Sequence, residues 1–499
     1  MQNRRQEPPQ PQGPVSPLSP AVDIARAIRA GEVGCREMLE ACLERVDRLN
    51  PQLNAIVVED RDAARLRADD ADAARAAGHR LPPLHGVPMT VKESFDVVGM
   101  PSTWGRTDLR DRIPERTAVA VQRLTDAGAI VLGKTNVPLL LSDWQTYNAV
   151  YGTTHNPWSP NRTPGGSSGG SAVAVACGFS AVELGSDIGA SIRNPAHYNG
   201  VFGHKPSYGI VPLDGHLLPG VRSFPDISVA GPLARSAADL DLFLSLVAGP
   251  HGETARGWRL ELPAPRRTAL REFRVGLVLG SAACEVDEGY AAMIRDFAGR
   301  LRAAGAEVVE GARPAFDEHA YHETYIRLLR AVTTARQPVE MFHEALRRVG
   351  ELSDQDRSYP AMNLRASVMH HRDWLEWHGR RELYRGIWAD WFEDFDLLLC
   401  PCAASTAFPQ DETGIRDHRT IEVNGHRVNY NDQLFWAGLA SLCYLPATVA
   451  PIGCDAQGLP GGIQIIGRYL DDRTPIAFAR AVERELGGFV PPPLAAAHA

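Results

Sequence analysis

The sequence predicts an α/β fold, and three observations carry that prediction. Helix-period and strand-like segments alternate along most of the chain, as in TAVAVQRLTDAGAIVLGKTN over 117–136, where an amphipathic run meets a Gly stop and then a buried apolar run. Apolar residues make up 44% of the 499 residues and charged ones 22%, the balance of a chain able to bury a large core. No segment offers the roughly 18 uninterrupted apolar residues of a membrane span. The two most apolar stretches, 172–184 and 434–452, are broken by Gly, Ser or Pro.

Residues 1–16, dominated by Pro and Gln, offer neither period nor core and are expected to form a flexible tail. Order is expected from Leu18. Ser19 and Pro20 suit the N-cap and first position of a helix over AVDIARAIRA, which Gly31 stops. A second helix, CREMLEACLERVDRLN, is expected to end before Pro51, and an Ala-rich third covers about 61–77 before Gly78. LHGVPMTVKESFDVVG reads as a strand that delivers Lys92 to its C-terminal end. Alternation resumes with SAVAVACG as helix, AVELGS as strand and a helix starting near Ser191. It recurs with FRVGLVLG, YAAMIRDFAGRLRAAG and EVVEG, then with DLLLC and, near the end, GGIQIIGR followed by TPIAFARAVERELG. Asn424 and Gly425 centre a two-residue hairpin. The Pro-rich join at 260–266 reads equally as a boundary between two lobes or as a loop within one domain.

Charge and cysteine usage narrow the functional classes. Lys+Arg number 52 and Asp+Glu 60, so the formal charge is −8, which argues against nucleic acid as a direct partner. The N-terminus lacks the apolar region of a secretory signal, so the cytoplasm is the expected compartment. None of the eight cysteines forms a CxxC pair, and Cys400 and Cys402 read as reduced core thiols. His319 and His322, with Glu323 adjacent, lack a suitably spaced third ligand and read as residues of a surface helix; no metal is expected. Trp374, Trp377, Trp388 and Trp391 recur at helical spacing and read as core or interface.

The informative stretch lies between 163 and 207. By composition GGSSGGS is compatible with a linker, but it runs directly into an apolar helix. A Gly/Ser loop there presents backbone amides to developing negative charge. Neither a phosphate-loop Lys-Ser/Thr nor a dinucleotide GxGxxG accompanies it. GSDIGAS again links strand to helix, and Ser191 falls where successive amides face one point, the geometry of an oxyanion hole. A serine hydroxyl needs a base to become a nucleophile. Sixteen histidines are present, yet none forms a motif with Ser191.

The run TPGGSSGGSAVAVACG…LGSDIGASIRNPAHYNGVFGHKPSYG closely resembles the amidase signature family of serine hydrolases. GVPMTVKE, GKTNVP and GLPGGIQIIGR resemble the same family, so the resemblance spans about residues 20–490. It implies a large mixed, mostly parallel twisted sheet flanked by helices on both faces. It further implies one domain over 17–499, with a core at 76–260 and a C-terminal portion, 261–499, completing the sheet and the substrate entrance. The implied catalytic trio is Lys92, Ser167 (after a cis peptide bond) and the nucleophile Ser191. The amides of Ile188, Gly189, Ala190 and Ser191 would hold the oxyanion, and Leu140, Leu141 and Ser142 would line the substrate pocket. Ser168 would hydrogen-bond within the relay, and Asp187 and Arg193 would brace the loop. Where the family usually has Gly, this chain has Ala190; its backbone is expected to accommodate a Cβ, with the methyl reshaping the acyl pocket.

No cofactor is implied. The expected partner is a small or aryl amide or a related carbonyl compound such as a carbamate or ester, with neither membrane nor direct nucleic acid, and a homodimer is left open. The alternative reading is a component like the A subunit of glutamyl-tRNA amidotransferase, which works with partner subunits.

Overall fold

The structure, a computed structural model, describes residues 15–496; of the tail expected over 1–16, residues 1–14 lie outside the described residues. Fifteen strands follow in chain order: β1 Ile56–Glu59, β2 Pro88–Lys92, β3 Ile130–Thr135, β4 Tyr147–Asn148, β5 Gly152–Thr153, β6 Val182–Asp187, β7 Phe202–Lys205, β8 Val229–Ala234, β9 Arg274–Leu277, β10 Glu307–Glu310, β11 Leu397–Cys400, β12 Thr420–Val423, β13 His426–Asn429, β14 Ala447–Cys454 and β15 Pro460–Ile466. Eleven form one sheet in the order β1-β3-β2-β6-β8-β7-β14-β15-β11-β9-β10, while β4/β5 and β12/β13 form separate hairpins. Strands from before and after the 260–266 join therefore share one sheet.

The large mixed sheet with helices packed against it is the predicted fold. Its parallel pairing, however, is confined to two blocks, β3-β2-β6 and β11-β9-β10. The centre, from β6 through β8, β7, β14 and β15 to β11, is antiparallel throughout, so "mostly parallel" is corrected to mixed. The connection explains part of this: β14 reverses into β15 through the turn Asp455–Gly458, where Gly458 N–H donates to Asp455 O and no crossover helix intervenes.

Two helix ends differ from expectation for local reasons. Pro20 rather than Ser19 is the N-cap of helix Ala21–Ala30, and the first amides, of Ala21 and Val22, donate to the Asp239 carboxylate at 3.0 and 2.9 Å. The second helix, Cys35–Leu53, runs through Pro51 and ends at left-handed Asn54. A proline in a last turn forfeits one ladder bond near an end that frays anyway.

Parallel strands β2 and β6 position the site. Both are buried at every residue, so neither alternates, as expected of strands covered on both faces. Lys92 ends β2, and β6 runs on past it to Ser186 and Asp187. Helix Gly169–Ala176 packs on this block, with Gly169 and Gly170 so close to Thr146 and Asn136 that a Cβ at either would clash.

Candidate active site

Lys92 has no exposed surface. Its Nζ donates to Ser167 Oγ at 2.7 Å, to Ser186 Oγ at 3.0 Å and to Ser186 O at 3.4 Å. Burial is the dominant influence on this amine and outweighs the charges of Asp187 and Glu183, which favour the ammonium form; the net pKa falls from 10.5 to about 7. A neutral amine, able to accept a proton, is therefore well populated near neutral pH.

The Gly166–Ser167 peptide bond is cis. Ser168 ties the Ser191 loop to β6: its N–H donates to Ser191 O at 3.1 Å and its hydroxyl to Ser186 O at 3.3 Å. It thus holds backbone, and its hydroxyl lies outside the Lys92–Ser167 contact. Ser191 is 5% exposed, and among the described residues its hydroxyl has no hydrogen-bond partner. Lys92, Ser167 and the Ser191 loop are thereby brought to one place. Ser186, which sequence reasoning passed over, is the second acceptor of the amine; its position directly before Asp187 on β6 was the available signal.

Asp187 and Arg193 form an ion pair with no exposure on either side, 2.9 Å between Nη2 and Oδ1. Burial opposes ionisation of Asp187, but the Arg193 charge and hydrogen bonds prevail and hold its pKa below the usual carboxylate value. The same carboxylate accepts from the amides of Ala190 at 3.0 Å and Ile192 at 3.1 Å. Arg193 reaches on to Ala437 O, Gln464 Oε1 and Ser441 Oγ, anchoring the loop to helix Leu434–Ser441 and β15.

Two expectations for this loop are corrected. The Ala190 amide is committed to Asp187, so it is not free for an oxyanion; among the described residues the amides of Ile188, Gly189 and Ser191 have no acceptor. Ala190 also adopts φ 71°, a left-handed conformation that disfavours any Cβ, and it is 1% exposed within the core cluster. The loop carbonyls are all held: Ile188 O by the Tyr325 hydroxyl (3.0 Å), Gly189 O by Trp144 Nε1 (2.6 Å) and Ala190 O by Asn194 N (2.7 Å).

Relieving this backbone should stabilise the fold. Ala190→Gly is expected to raise unfolding free energy by up to ~1 kcal/mol, read as a higher urea midpoint at unchanged slope. A lower midpoint would mean that methyl packing and unfolded-state entropy outweigh the relief.

Beneath Lys92 lies a sealed polar cluster. Glu183 accepts from Thr90 and, at 2.7 Å, from Thr135, and burial raises its pKa to about 7. No histidine nitrogen bonds Ser167 or Ser191 among the described residues. His216 comes within electrostatic reach of Lys92, but its Nε2 pairs with Ser94 Oγ at 3.1 Å, and burial, then the Lys92 charge, lower its pKa to about 3.

Leu140, Leu141 and Ser142 lie on a largely exposed turn in which both leucines have positive φ, and Leu140 N–H donates to Trp104 O. This segment leads straight into Trp144, whose indole holds Gly189. The surface-helix reading of His319, His322 and Glu323 is corrected in part. His319 is exposed, but His322 is buried, with its ring against Phe435 of helix Leu434–Ser441, while helix Glu318–Thr334 also packs on helices Tyr359–Ser367 and His371–Asp394, and Glu323 pairs with Arg327 at 2.9 Å. Among the described residues no group of three or more His, Cys, Asp or Glu is arranged to hold a metal, and no helix is long and apolar enough to cross a membrane.

Comparison with known proteins covers most of the chain. The family profile described as Amidase matches residues 37–475. Indoleacetamide hydrolase of Bradyrhizobium diazoefficiens is 34% identical over 486 residues, covering 96% of this chain and 88% of that protein. The A subunit of glutamyl-tRNA(Gln) amidotransferase from a Synechococcus species is 32% identical over 506 residues, covering 94% and 96%. A crystal structure of an amidase superposes with a TM-score of 0.75 at 30% identity, covering 93% of this chain and 99% of that one. The chain belongs to the amidase family of amide-hydrolysing enzymes.

Proposed function

We propose that the chain hydrolyses the C–N bond of small or aryl amides through an acyl-enzyme on Ser191. The observation that carries this reading is the buried Lys92 amine 2.7 Å from Ser167 Oγ, beside a serine loop with three unclaimed amides. Neutral Lys92 takes a proton from Ser167 as Ser167 takes one from Ser191. Ser191 Oγ bonds to the carbonyl carbon, and the amides of Ile188, Gly189 and Ser191 receive the oxyanion. Ser167 then returns a proton to the departing nitrogen, because an amide anion is too basic to leave unprotonated. Water releases the acyl group by the same relay in reverse.

In this reading Asp187, Arg193 and Ser168 hold the loop, and Leu140, Leu141 and Ser142 border the substrate. Residues 17–499 act as one domain, supported by the sheet shared between its halves. Carbamates and esters present the same carbonyl and belong to the substrate range to be tested. The chain needs no cofactor for these steps, acts in the cytoplasm, and a homodimer is compatible with them. Labelling by a fluorophosphonate at Ser191, together with a panel of para-nitroanilides, amides, esters and carbamates, tests the proposal. Labelling elsewhere, or no turnover of any member, would overturn it.

The amidotransferase relatives favour one second reading, a component that releases ammonia only alongside partner subunits. Activity of the purified chain alone on simple amides excludes that dependence.

A further inference from the structure

A peptide unit joins the carbonyl of one residue to the N–H of the next, and hydrogen bonds in series polarise one another, so a group that donates to the carbonyl strengthens the N–H beyond it. In the turn from Ile188 to Ser191 this rule separates the contacts that act on the oxyanion amides from those that do not. Ile188 O shares its peptide with Gly189 N–H, and Ala190 O shares its peptide with Ser191 N–H; neither amide has an acceptor among the described residues. Gly189 O, held by Trp144 Nε1 at 2.6 Å, shares its peptide with Ala190 N–H, which is committed to Asp187. Ala190 O is held by backbone, the Asn194 N–H at 2.7 Å. Of the side chains that donate to these carbonyls among the described residues, Tyr325 is therefore the one that acts on an unclaimed amide: its hydroxyl reaches Ile188 O at 3.0 Å.

The phenol is built into that position. Tyr325 lies on helix Glu318–Thr334, has no exposed surface, and packs so tightly on Gly438 of helix Leu434–Ser441 that a Cβ there would stand 2.6 Å from its Cδ1. One turn earlier, Tyr321 donates to Leu439 O at 3.0 Å, so two tyrosines dock one helix on the other. Burial is the largest influence on the Tyr325 phenol and raises its pKa, which keeps it a protonated donor at neutral pH. The Arg193 charge and the hydroxyl of Ser441, which accepts from Arg193 Nη2 at 2.8 Å, act on the same phenol in the other direction and make it a stronger donor.

We propose that Tyr325 is a positioning residue for the reaction, acting through the Ile188–Gly189 peptide to strengthen and orient Gly189 N–H as a donor to the oxyanion. This rests on the acyl-enzyme reading of Ser191 and adds to it a residue far outside the central motif. The effect belongs to the transition state. Charge gathers on the substrate oxygen only as Ser191 Oγ bonds to the carbonyl carbon and the C=O π electrons move onto that oxygen, so a better donor favours this step over substrate binding.

Tyr325→Phe keeps the ring and removes the donor. It should lower kcat on an amide by about three- to tenfold, the scale of one net hydrogen bond, with KM within about twofold of the wild type. A trifluoromethyl ketone bearing the same acyl group, which captures Ser191 as a tetrahedral adduct with a charged oxygen, should lose affinity by the factor that kcat/KM loses. A side chain that only fills the core would lower the melting temperature and leave kcat and adduct affinity of the folded protein unchanged. If Tyr325→Phe does not fold, Gly438→Ala, whose methyl displaces the ring and with it the hydroxyl, gives the same readout. Unchanged kcat in a folded variant, or a loss carried by KM with adduct affinity intact, overturns the role. Absence of all amide turnover and of Ser191 labelling in the wild type would instead strike the hydrolase reading.

Discussion

Ser191→Ala is expected to abolish amide turnover, by at least ~10³-fold, while the protein folds normally. The loss follows because the neighbouring hydroxyls are engaged, that of Tyr325 with Ile188 O and that of Ser167 with Lys92 Nζ, and neither replaces Ser191 as nucleophile. The fold persists because the Ser191 hydroxyl has no partner to lose among the described residues, whereas its carbonyl, held by Ser168 N–H, and the Asp187–Arg193 pair are untouched. The variant should keep the wild-type melting temperature and lose fluorophosphonate labelling. Retained turnover would mean that the nucleophile lies elsewhere.

The second large effect belongs to Lys92. With the amine at about pKa 7, the base is protonated and idle below that pH, so kcat/KM should climb through pH 7 and level off above it. Lys92→Ala should lower amide kcat/KM by about 10² to 10⁴, the usual contribution of a general base. Activated esters should suffer less, because their leaving groups depart without a returned proton. A histidine base would instead tolerate the lysine change. A profile still rising steeply at pH 10, or a lysine variant with near wild-type amide turnover, would remove the relay.

The site was legible in the sequence where its chemistry depends on short motifs. Lys92 at the end of an apolar strand and Ser191 at a strand-to-helix turn are placed by patterns a few residues long, and the structure puts them where those patterns imply. What stayed hidden depends on distant partners. That Ala190 N–H is claimed by Asp187, or that Ser186 receives the Lys92 amine, follows from the path of one loop in space. The left-handed turn at Ala190 ran against the preference of its own side chain, so local propensity pointed the wrong way. Sheet direction was obscured similarly: β14 and β15 are as buried as the parallel strands over most of their length, and burial on both faces erases the alternation that marks an antiparallel pair. Helix Glu318–Thr334 looked superficial because its histidines and arginines suggest solvent, yet two further helices cover it.

The buried amine at Lys92 also sets a cost on folding itself. In the unfolded chain this group holds its proton up to about pH 10.5, whereas in the native state it releases it near 7. Between those values the unfolded chain binds more protons, so native stability must rise with pH across that window. Lys205 and Lys134, depressed by burial to about 7 and 8, pull in the same direction. At neutral pH the Lys92 amine alone withholds a few kcal/mol from the fold. Replacing it with methionine, whose chain fills the same space without a charge to desolvate, should raise the melting temperature at pH 7 and narrow the gain toward pH 10. The protein is therefore kept softer than its core would allow by the same group that makes its serine reactive.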